Sequence, residues 1–342
     1  MDGAGRVKRA TVKQVAERAG VSPATVSNVL NDHPYVTRRV RERVEAAIAE
    51  VGYRPSVAGR QLRRGRSAFV SLAIPDIRSP YFADLAHTVI VAARRRGFVL
   101  LIDETGGDLD REREVAAGYA SRLTEGIVFC PVAISPAEIE RLASDVPMVL
   151  LGEHFVGGSF DHIAIDSERS AEEVADHLVR CGCRRFAFVG NEPGPGPAPG
   201  RLRLAGLRTR LAAHGLELAE DLVFPTDGHT REEGARVAEL LVPHRDRIDA
   251  LVCAADLLAV GALQVFHRAG VAVPADVSVV GWDDSPEGRY AWPALTTVAH
   301  DLELIARQAM ESVAARQDEP GRPPRRYTVP HRLVVRDSTR TP

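Results

Sequence analysis

The sequence has few cysteines, few aromatic residues and no long apolar run, and each scarcity excludes a class of protein. Four cysteines in 342 residues form no disulfide framework of the kind that small secreted domains need, which agrees with a reducing compartment. No stretch reaches the roughly 18 consecutive apolar residues of a transmembrane helix, and the first nine residues lack the apolar core of a secretory signal. We therefore expect a cytoplasmic protein without a membrane partner.

Motifs for catalysis and for metal binding are also missing from the sequence. It has no nucleophile elbow, Walker loop or zinc-ligand spacing, and Cys181-Gly-Cys183 lacks a second ligand pair, which favours packing over metal binding. The glycine-rich stretch at 190–200 contains four prolines, which remove the amide groups that a phosphate needs, so we expect a rim loop. Asp283 and Asp284 are adjacent at a strand end, where their side chains diverge. The sequence predicts no enzyme, no metal and no cofactor.

Charge is distributed unevenly along the chain. Residues 1–66 hold 14 Lys and Arg against 6 Asp and Glu, a net charge of +8, whereas the remainder holds 30 against 40. With 45% hydrophobic and 26% charged residues, the whole is typical of a globular protein that can form two or three domains. A basic head on an acidic body indicates that the head meets the phosphates of a nucleic acid.

The stretch that begins at Thr11 predicts two short helices joined by a tight turn. Thr11 can cap the first helix, and Gln14 three residues later completes a capping box. Gly20 ends this helix, and Ser22 caps the second, with Pro23 in its first position. The exposed face of the second helix carries small residues suited to close approach: Ala24, Thr25, Ser27, Asn28 and Asn31. The pattern indicates a helix-turn-helix that reads the DNA major groove, although an ordinary helical hairpin has the same signals.

A third helix and a basic segment follow. Thr37 can cap the helix, which Gly52 ends, and four arginines crowd its first half, where they suit a phosphate backbone. Residues 56–67 contain too little apolar surface to keep a helix alone. They are either a linker or a hinge helix that forms only on DNA and inserts Leu62 into the minor groove.

From residue 68 onward, short apolar strands alternate with amphipathic helices. Such alternation is typical of parallel sheets covered by helices on both faces. The cycle restarts near Asp166, which indicates two similar α/β lobes. Ligands of such sheets lie beyond the carboxyl ends of the strands, so the cleft between the lobes is the candidate ligand site.

These motifs together resemble those of the lactose/galactose repressor (LacI/GalR) family of transcriptional regulators. The head resembles it through residues 11–31, the Gly-Tyr-Arg-Pro break at 52–55 and the segment around Leu62. The body resembles it through further segments in the family's order: 201–206 (Arg-Leu-Arg-Leu-Ala-Gly), 273–284, 293–297 and 329–336. The resemblance covers residues 10–338.

The resemblance implies an N-terminal all-α helix-turn-helix head with a hinge helix, followed by an α/β two-lobed core like a periplasmic binding protein. It also implies a homodimer on a palindromic double-stranded operator, with a small-molecule effector in the cleft that controls lobe closure. The chain stops soon after Val335 without a heptad tail, so we expect a dimer and not a tetramer. The expected bounds are 10–55 for the head, 56–66 for the hinge helix, 67–165 with 298–326 for the N-terminal lobe, and 166–297 with 327–340 for the C-terminal lobe.

For the head, the resemblance implies DNA contacts at ten positions. They are Thr11, Ser22, Pro23, Ala24, Thr25, Ser27, Asn28, Asn31, Arg60 and Leu62. Asn28 stands where arginine is frequent, and asparagine favours adenine where arginine favours guanine. Gly59 stands where alanine is usual, which weakens a hinge helix by roughly 0.5–1 kcal/mol. We therefore expect this head to depend more on DNA shape than on direct base contacts.

For the cleft, the resemblance implies seven effector-binding residues. They are Tyr81, Phe82, Glu153, Arg203, His229, Asp256 and Asp283. Arg203 corresponds to the pocket arginine that clamps ligand hydroxyls or carboxylates, and Asp283 to the acceptor for sugar hydroxyls. Ala255 replaces an asparagine that is common in sugar-binding members, which argues against a plain lactose-like ligand.

Each cleft residue also has a structural alternative. Arg203 and Asp283 could form an internal ion pair that closes the cleft, and Asp256 could cap the helix that follows it. His229 could be a solvent-exposed rim residue, and Tyr81 and Phe82 could belong to the core or to a dimer surface.

An allosteric repressor is therefore the leading functional hypothesis, with two alternatives. A periplasmic sugar receptor would share the two-lobed body, but it would need a signal peptide and no basic head. An enzyme would need one of the catalytic motifs that the sequence lacks.

Overall fold

The computed structural model describes residues 10–30, 33, 35–53, 68–119, 123–153, 158–193 and 198–341. The chain divides into two compact units, Met1–Ser67 and Ala68–Pro342, which are described in turn. The expected hinge helix at 56–66, with Arg60 and Leu62, lies outside the described residues, as does Asn31.

The described residues of the first unit form three helices around a small apolar core. They are α1 (Val12–Ala19), α2 (Pro23–Leu30) and α3 (Arg38–Val51). The capping box at Thr11 and Gln14 is confirmed, and Gly20 ends α1 with a φ of +62°, which glycine adopts without strain. Thr37 is the N-cap residue of α3 as predicted, but its side chain makes no capping hydrogen bond. Val15, Val26 and Val44 are fully buried and hold the three helices together.

The second unit contains two six-stranded sheets, one in each lobe. The N-terminal lobe is formed by β1 (Phe69–Ile74), α4 (Pro80–Arg95), β2 (Val99–Glu104), α5 (Leu109–Ala116), β3 (Ile127–Phe129), α6 (Pro136–Leu142), β4 (Met148–Leu151), β5 (Asp161–Ile165), α12 (Leu302–Asp318) and β11 (Arg326–Val329). Its strand order is β11-β5-β4-β3-β1-β2, and every pairing is parallel. The predicted two-lobed α/β fold is confirmed.

The C-terminal lobe repeats this architecture. It is formed by α7 (Ser167–Arg180), β6 (Phe186–Asn191), α8 (Pro199–Ala213), β7 (Val223–Pro225), α9 (Arg231–Leu241), β8 (Ala250–Cys253), α10 (Asp256–Arg268), β9 (Ser278–Trp282), α11 (Pro286–Arg289), β10 (Thr296–His300) and β12 (His331–Val334). Its strand order is β12-β10-β9-β8-β6-β7, with only β12 antiparallel to its neighbour. Its largest fully buried side chains are Trp282, Phe186, Phe188 and Phe266.

The chain passes between the lobes three times, at Asp166, Asp301 and Pro330. Asp166 and Asp301 have the same backbone conformation, with φ/ψ of −83/84° and −82/84°, and each caps the helix that follows. The last two crossings lie three to four residues beyond the expected bounds, 297/298 and 326/327. The cause is strand pairing: β10 extends to His300 because it pairs with β12, and β11 pairs with β5 as far as Val329.

Glycines bring the helices of the C-terminal lobe into close contact. A Cβ atom on Gly206 of α8 would lie 2.2 Å from the carbonyl oxygen of Glu168 on α7. The pair α9–α10 is joined in the same way, because a Cβ on Gly234 would lie 2.0 Å from the carbonyl oxygen of Leu258. Only glycine permits such short distances between helix backbones. The contact of α8 with α7 therefore determines where Arg203 lies at the cleft.

Candidate functional site

In the first unit, the predicted DNA-contacting side chains of α2 form one exposed surface. Ser22, Pro23, Ala24 and Asn28 are exposed, whereas Val26 and Val29 are buried on the opposite face. The helix is therefore amphipathic in the sense that a groove-reading helix requires, with short side chains outward.

Two hydroxyl groups at the helix starts are already used within the chain. Ser22 Oγ accepts the amide of Thr25 at 3.1 Å and lies 2.9 Å from Thr25 Oγ1. Thr11 Oγ1 donates to Gln14 Oε1 at 3.1 Å. The Thr11 proton is therefore already used, whereas Ser22 Oγ can donate to a phosphate oxygen when Thr25 Oγ1 is the donor between the two hydroxyls.

In the second unit, Arg203 is the centre of the site between the lobes. Its side chain is 6% exposed, and its guanidinium lies 3.7 Å from the carboxylate of Glu153, which is 8% exposed. Glu153 follows β4 of the N-terminal lobe and Arg203 belongs to α8 of the C-terminal lobe, so this ion pair joins the two lobes. Ser167, at the start of α7, donates to Glu153 at 2.7 Å and accepts from Arg203 Nε at 3.4 Å.

The expected alternative of an Arg203–Asp283 ion pair is not what the structure contains. Arg203 pairs with Glu153 and stacks over the ring of Trp282 at 5.3 Å, while Asp283 lies 3.7 Å from His300. Glu153 follows β4 and Asp283 follows β9, and of these two acids Glu153 forms the ion pair with the arginine.

Asp283 and its neighbour Asp284 are held in a strained backbone. Their φ angles are +110° and +53°, in a region of backbone conformation that residues other than glycine rarely adopt. Three arginines fix the carboxylate of Asp284, namely Arg289, Arg332 and Arg336. Such strain costs about 1–3 kcal/mol per residue and persists where the surrounding structure holds a side chain in a required position. Here the strained backbone directs the Asp283 carboxylate toward the cleft.

His300 was missed by the sequence reasoning, although it ends β10 at the edge of the sheet that faces the cleft. Its side chain is 1% exposed, and neither ring nitrogen has a hydrogen-bond partner in the described part of the chain. The Tyr81 ring packs edge-on against it at 6.2 Å. A buried imidazole without partners is expensive, and a bound ligand would supply what it lacks.

Tyr81 and Phe82 begin α4 and pack against the apolar core of the N-terminal lobe. Their rings meet edge-to-face at 5.1 Å. Burial raises the pKa of the Tyr81 phenol well above its usual value, so the hydroxyl stays protonated. Tyr81 therefore combines a core position with an edge on the cleft, whereas Phe82 supports it from the core side.

Asp256 lies beneath the cleft and is 1% exposed. Its carboxylate accepts the Thr297 hydroxyl at 2.6 Å and the Ser285 amide at 2.7 Å. Ala255, not Asp256, is the N-cap of α10, so the expected capping role is wrong. Burial and the charge of Asp283 raise the pKa of Asp256 to about 7.

His229 lies on the rim and pairs with Glu192, with 3.3 Å between Nε2 and Oε1. Burial favours a raised pKa for Glu192, but the hydrogen bond and charge of His229 outweigh it, and the pKa falls to about 2. Glu192 also accepts the Gly200 amide at the start of α8. The Glu192 carboxylate thus occupies the N-terminus of α8, the position at which a phosphate-binding loop would bind its phosphate.

Other chemistry has little support in the described residues. No group of three or more His, Cys, Asp or Glu is arranged there to hold a metal ion. Cys181 and Cys183 are buried thiols without a metal partner set, and the Cys183 thiol donates to the Asp249 carbonyl. No helix in the same part of the chain is long and apolar enough to cross a membrane.

Comparison with known proteins gives matches along the chain. Residues 11–56 match the family model for bacterial regulatory proteins of the lacI family, and residues 175–339 match that for a periplasmic binding protein-like domain. A ribose operon repressor from Halalkalibacterium halodurans is 30% identical over 96% of this chain and 97% of its own length.

Solved structures agree with these matches. The transcriptional regulator CelR in complex with cellobiose is 29% identical, covers 96% of this chain and 100% of its own, and has a TM-score of 0.70. A lac repressor dimer bound to operator and the anti-inducer ONPF has a TM-score of 0.86 over 98% of this chain and 100% of its own. At 24% identity, that second likeness shows the fold alone.

Proposed function

Because the chain belongs to the lacI family of bacterial regulatory proteins, we propose that it represses transcription as a homodimer on a palindromic operator, under the control of a small molecule. It is a DNA-binding transcriptional regulator and not an enzyme. We propose further that it forms a dimer, binds a palindromic site, represses transcription and takes a sugar-like effector in the cleft.

The proposed effector site is supported by a set of polar side chains buried between the two lobes. Arg203, Glu153, Asp283 and His300 converge there beside the Trp282 ring. The unpartnered nitrogens of His300 support a ligand at this place, because no side chain of the described residues satisfies them. Tyr81 and His229 would line the same ligand, with Phe82 and Asp256 behind them.

The DNA contacts follow from α2. Asn28 would read a base edge, while Pro23 and Ala24 would pack against a thymine methyl group, and Ser22 and Thr25 would contact phosphates. The proposed minor-groove contacts of Arg60 and Leu62 rest on the family resemblance.

An exposed edge strand supports the dimer. Val99, Leu101 and Ile102 of β2 are exposed at the edge of the N-terminal sheet, and Tyr119 is exposed nearby. A monomer rarely leaves an apolar edge strand open, since it would pair with other chains. A second copy of this chain is the proposed cover. Light scattering of Leu101→Asp should then give monomers where the wild type gives dimers, and a monomeric wild type would contradict the proposal.

The effector is tested by thermal unfolding with a panel of sugars, sugar phosphates, nucleosides and small acids. A ligand present at a hundredfold its dissociation constant adds roughly 2.7 kcal/mol of stability. The stabilisation should vanish in Arg203→Ala, and the same ligand should change the affinity for an operator selected from random palindromes. A ligand that stabilises both proteins equally would exclude the cleft.

A further inference from the structure

We propose that Glu153 occupies the guanidinium of Arg203 in place of a ligand acid, so that the effector is a molecule rich in hydrogen-bond donors that carries no carboxylate or phosphate. The inference rests on the proposed function, since it names the chemical class of the effector in the cleft. An arginine in a ligand pocket ordinarily indicates the opposite, an anionic ligand held by its planar fork.

Two of the three guanidinium nitrogens of Arg203 donate hydrogen bonds within the chain, and the third faces a carboxylate. One terminal nitrogen donates to the Ala254 carbonyl, Nε donates to Ser167 at 3.4 Å, and the other terminal nitrogen faces Glu153 at 3.7 Å. One face of the guanidinium is covered by the Trp282 ring. A ligand carboxylate would therefore have to share the remaining N–H groups of Arg203 with the carboxylate of Glu153.

Glu153 is fixed where it is and does not extend freely into the cleft. The Ser167 hydroxyl donates to the same carboxylate oxygen that faces Arg203, at 2.7 Å. Both charged side chains are more than nine-tenths buried. An anion brought to Arg203 would lie against this carboxylate in a poorly solvated space, where like charges repel strongly.

The groups left for a ligand are hydrogen-bond acceptors or can become acceptors. Asp283 presents a carboxylate that is 19% exposed, and its nearest basic group is His300 at 3.7 Å. His300 has two ring nitrogens without partners. Ligand hydroxyl groups, which both donate and accept, match both residues, whereas a ligand carboxylate would lie against the carboxylate of Asp283. A site that pairs buried polar groups in this way rejects a ligand without the matching donors.

Glu153→Gln tests this directly, because it keeps the shape and the acceptor oxygen while it removes the charge. Calorimetry on the full chain would compare neutral glycosides with the uronic acids and 6-phosphates of the same sugars. The wild type should bind a neutral member and none of its acids. In Glu153→Gln, the affinity for the acid of that sugar should rise at least about tenfold relative to the affinity for the neutral ligand. Equal changes for both, or a wild type that prefers the acid, would overturn the proposal.

Inorganic phosphate separates this inference from the proposed function. In Glu153→Gln, Arg203 loses its own carboxylate, so phosphate should raise the thermal unfolding temperature relative to chloride at equal ionic strength. The wild type and the double variant Glu153→Gln/Arg203→Ala should not respond. Glu192→Gln is the matched control, since it removes an acid of the rim that pairs with His229 and not with Arg203. If no sugar binds but phosphate stabilises Glu153→Gln alone, the sugar effector fails and the role of Glu153 stands. If phosphate has no such effect, the role of Glu153 fails.

Discussion

Replacing Gly206 with alanine should weaken the C-terminal lobe and the cleft together. The new Cβ would lie 2.2 Å from the carbonyl oxygen of Glu168, where contacts below 3.0 Å do not occur. Because the opposing atom belongs to the backbone of α7, no side-chain rotation relieves the clash. The helices α7 and α8 must separate until the distance reaches at least 3.0 Å.

The cost follows from what the two helices share. Leu204, Leu207 and Leu211 of α8 pack into the same buried core as Val174 and Leu178 of α7. Overpacking of this kind costs about 1–3 kcal/mol. For a unit of this size the unfolding temperature should fall by roughly 2–12 °C. Arg203 lies on α8 one turn before Gly206, so its position against Glu153 should shift too.

Differential scanning calorimetry gives the stability change, and effector titration gives the change in affinity. Gly321→Ala is the matched control: a Cβ there meets nothing within 4 Å, and its backbone is not left-handed, so stability should change by less than about 0.5 kcal/mol. If Gly206→Ala unfolds at the wild-type temperature, the argument from close helix contact is wrong. If it loses stability and keeps full effector affinity, the link from α8 packing to Arg203 is wrong.

Further predictions concern the cleft floor, the DNA-reading helix and the N-terminal lobe. The folded pKa of Asp256 is about 7 against a usual 3.8, so its stabilising contribution is complete below pH 3.8 and is lost as the pH rises through about 7. Urea unfolding should show a fall of up to about 1.4 kcal/mol per pH unit in that window, and Asp256→Asn should reduce the slope. Asn28→Ala should relax base preference at one symmetric position of each half-site, as read by selection from random DNA. Asp161→Asn should cost about 3–5 kcal/mol in urea unfolding, because Arg316 and Arg322 lose the buried carboxylate that both contact.

Each of these predictions has an outcome that would contradict it. A stability profile that is identical in wild type and Asp256→Asn would exclude titration of that carboxyl. An unchanged selected sequence would remove Asn28 from base reading. A loss below about 1 kcal/mol in Asp161→Asn would mean that solvent replaces the carboxylate around the two arginines.

The architecture and the family could be predicted from the sequence, because they depend on local signals. Alternating apolar strands and helices predicted the fold, capping residues predicted the starts of α1 and α2, and the family resemblance is confirmed by the matching relatives. The strand β1 (Phe69–Ile74) begins directly after residue 68, where the alternation of strands and helices was predicted to start.

The pairing inside the cleft could not be predicted, because it depends on how two lobes meet. Glu153 and Arg203 are far apart in sequence and belong to different lobes, so no spacing rule links them. Asp256 fits an N-cap position equally well by sequence, and only the approach of Ser285 and Thr297 shows where its carboxylate goes. His300 could have been found as the last residue of a strand that ends at the cleft, but a lone histidine gives no sign of its missing partners.

The three passages between the lobes determine the order in which the protein can be completed during synthesis. The N-terminal sheet needs β11 and the C-terminal sheet needs β12, and both are made after residue 325. The head can fold as soon as it leaves the ribosome, whereas neither lobe has its edge strand until translation is almost finished. A chain released before β11 would have a complete DNA-binding head and two sheets with open edges at β5 and β10. Chaperones and proteases would act on such a chain.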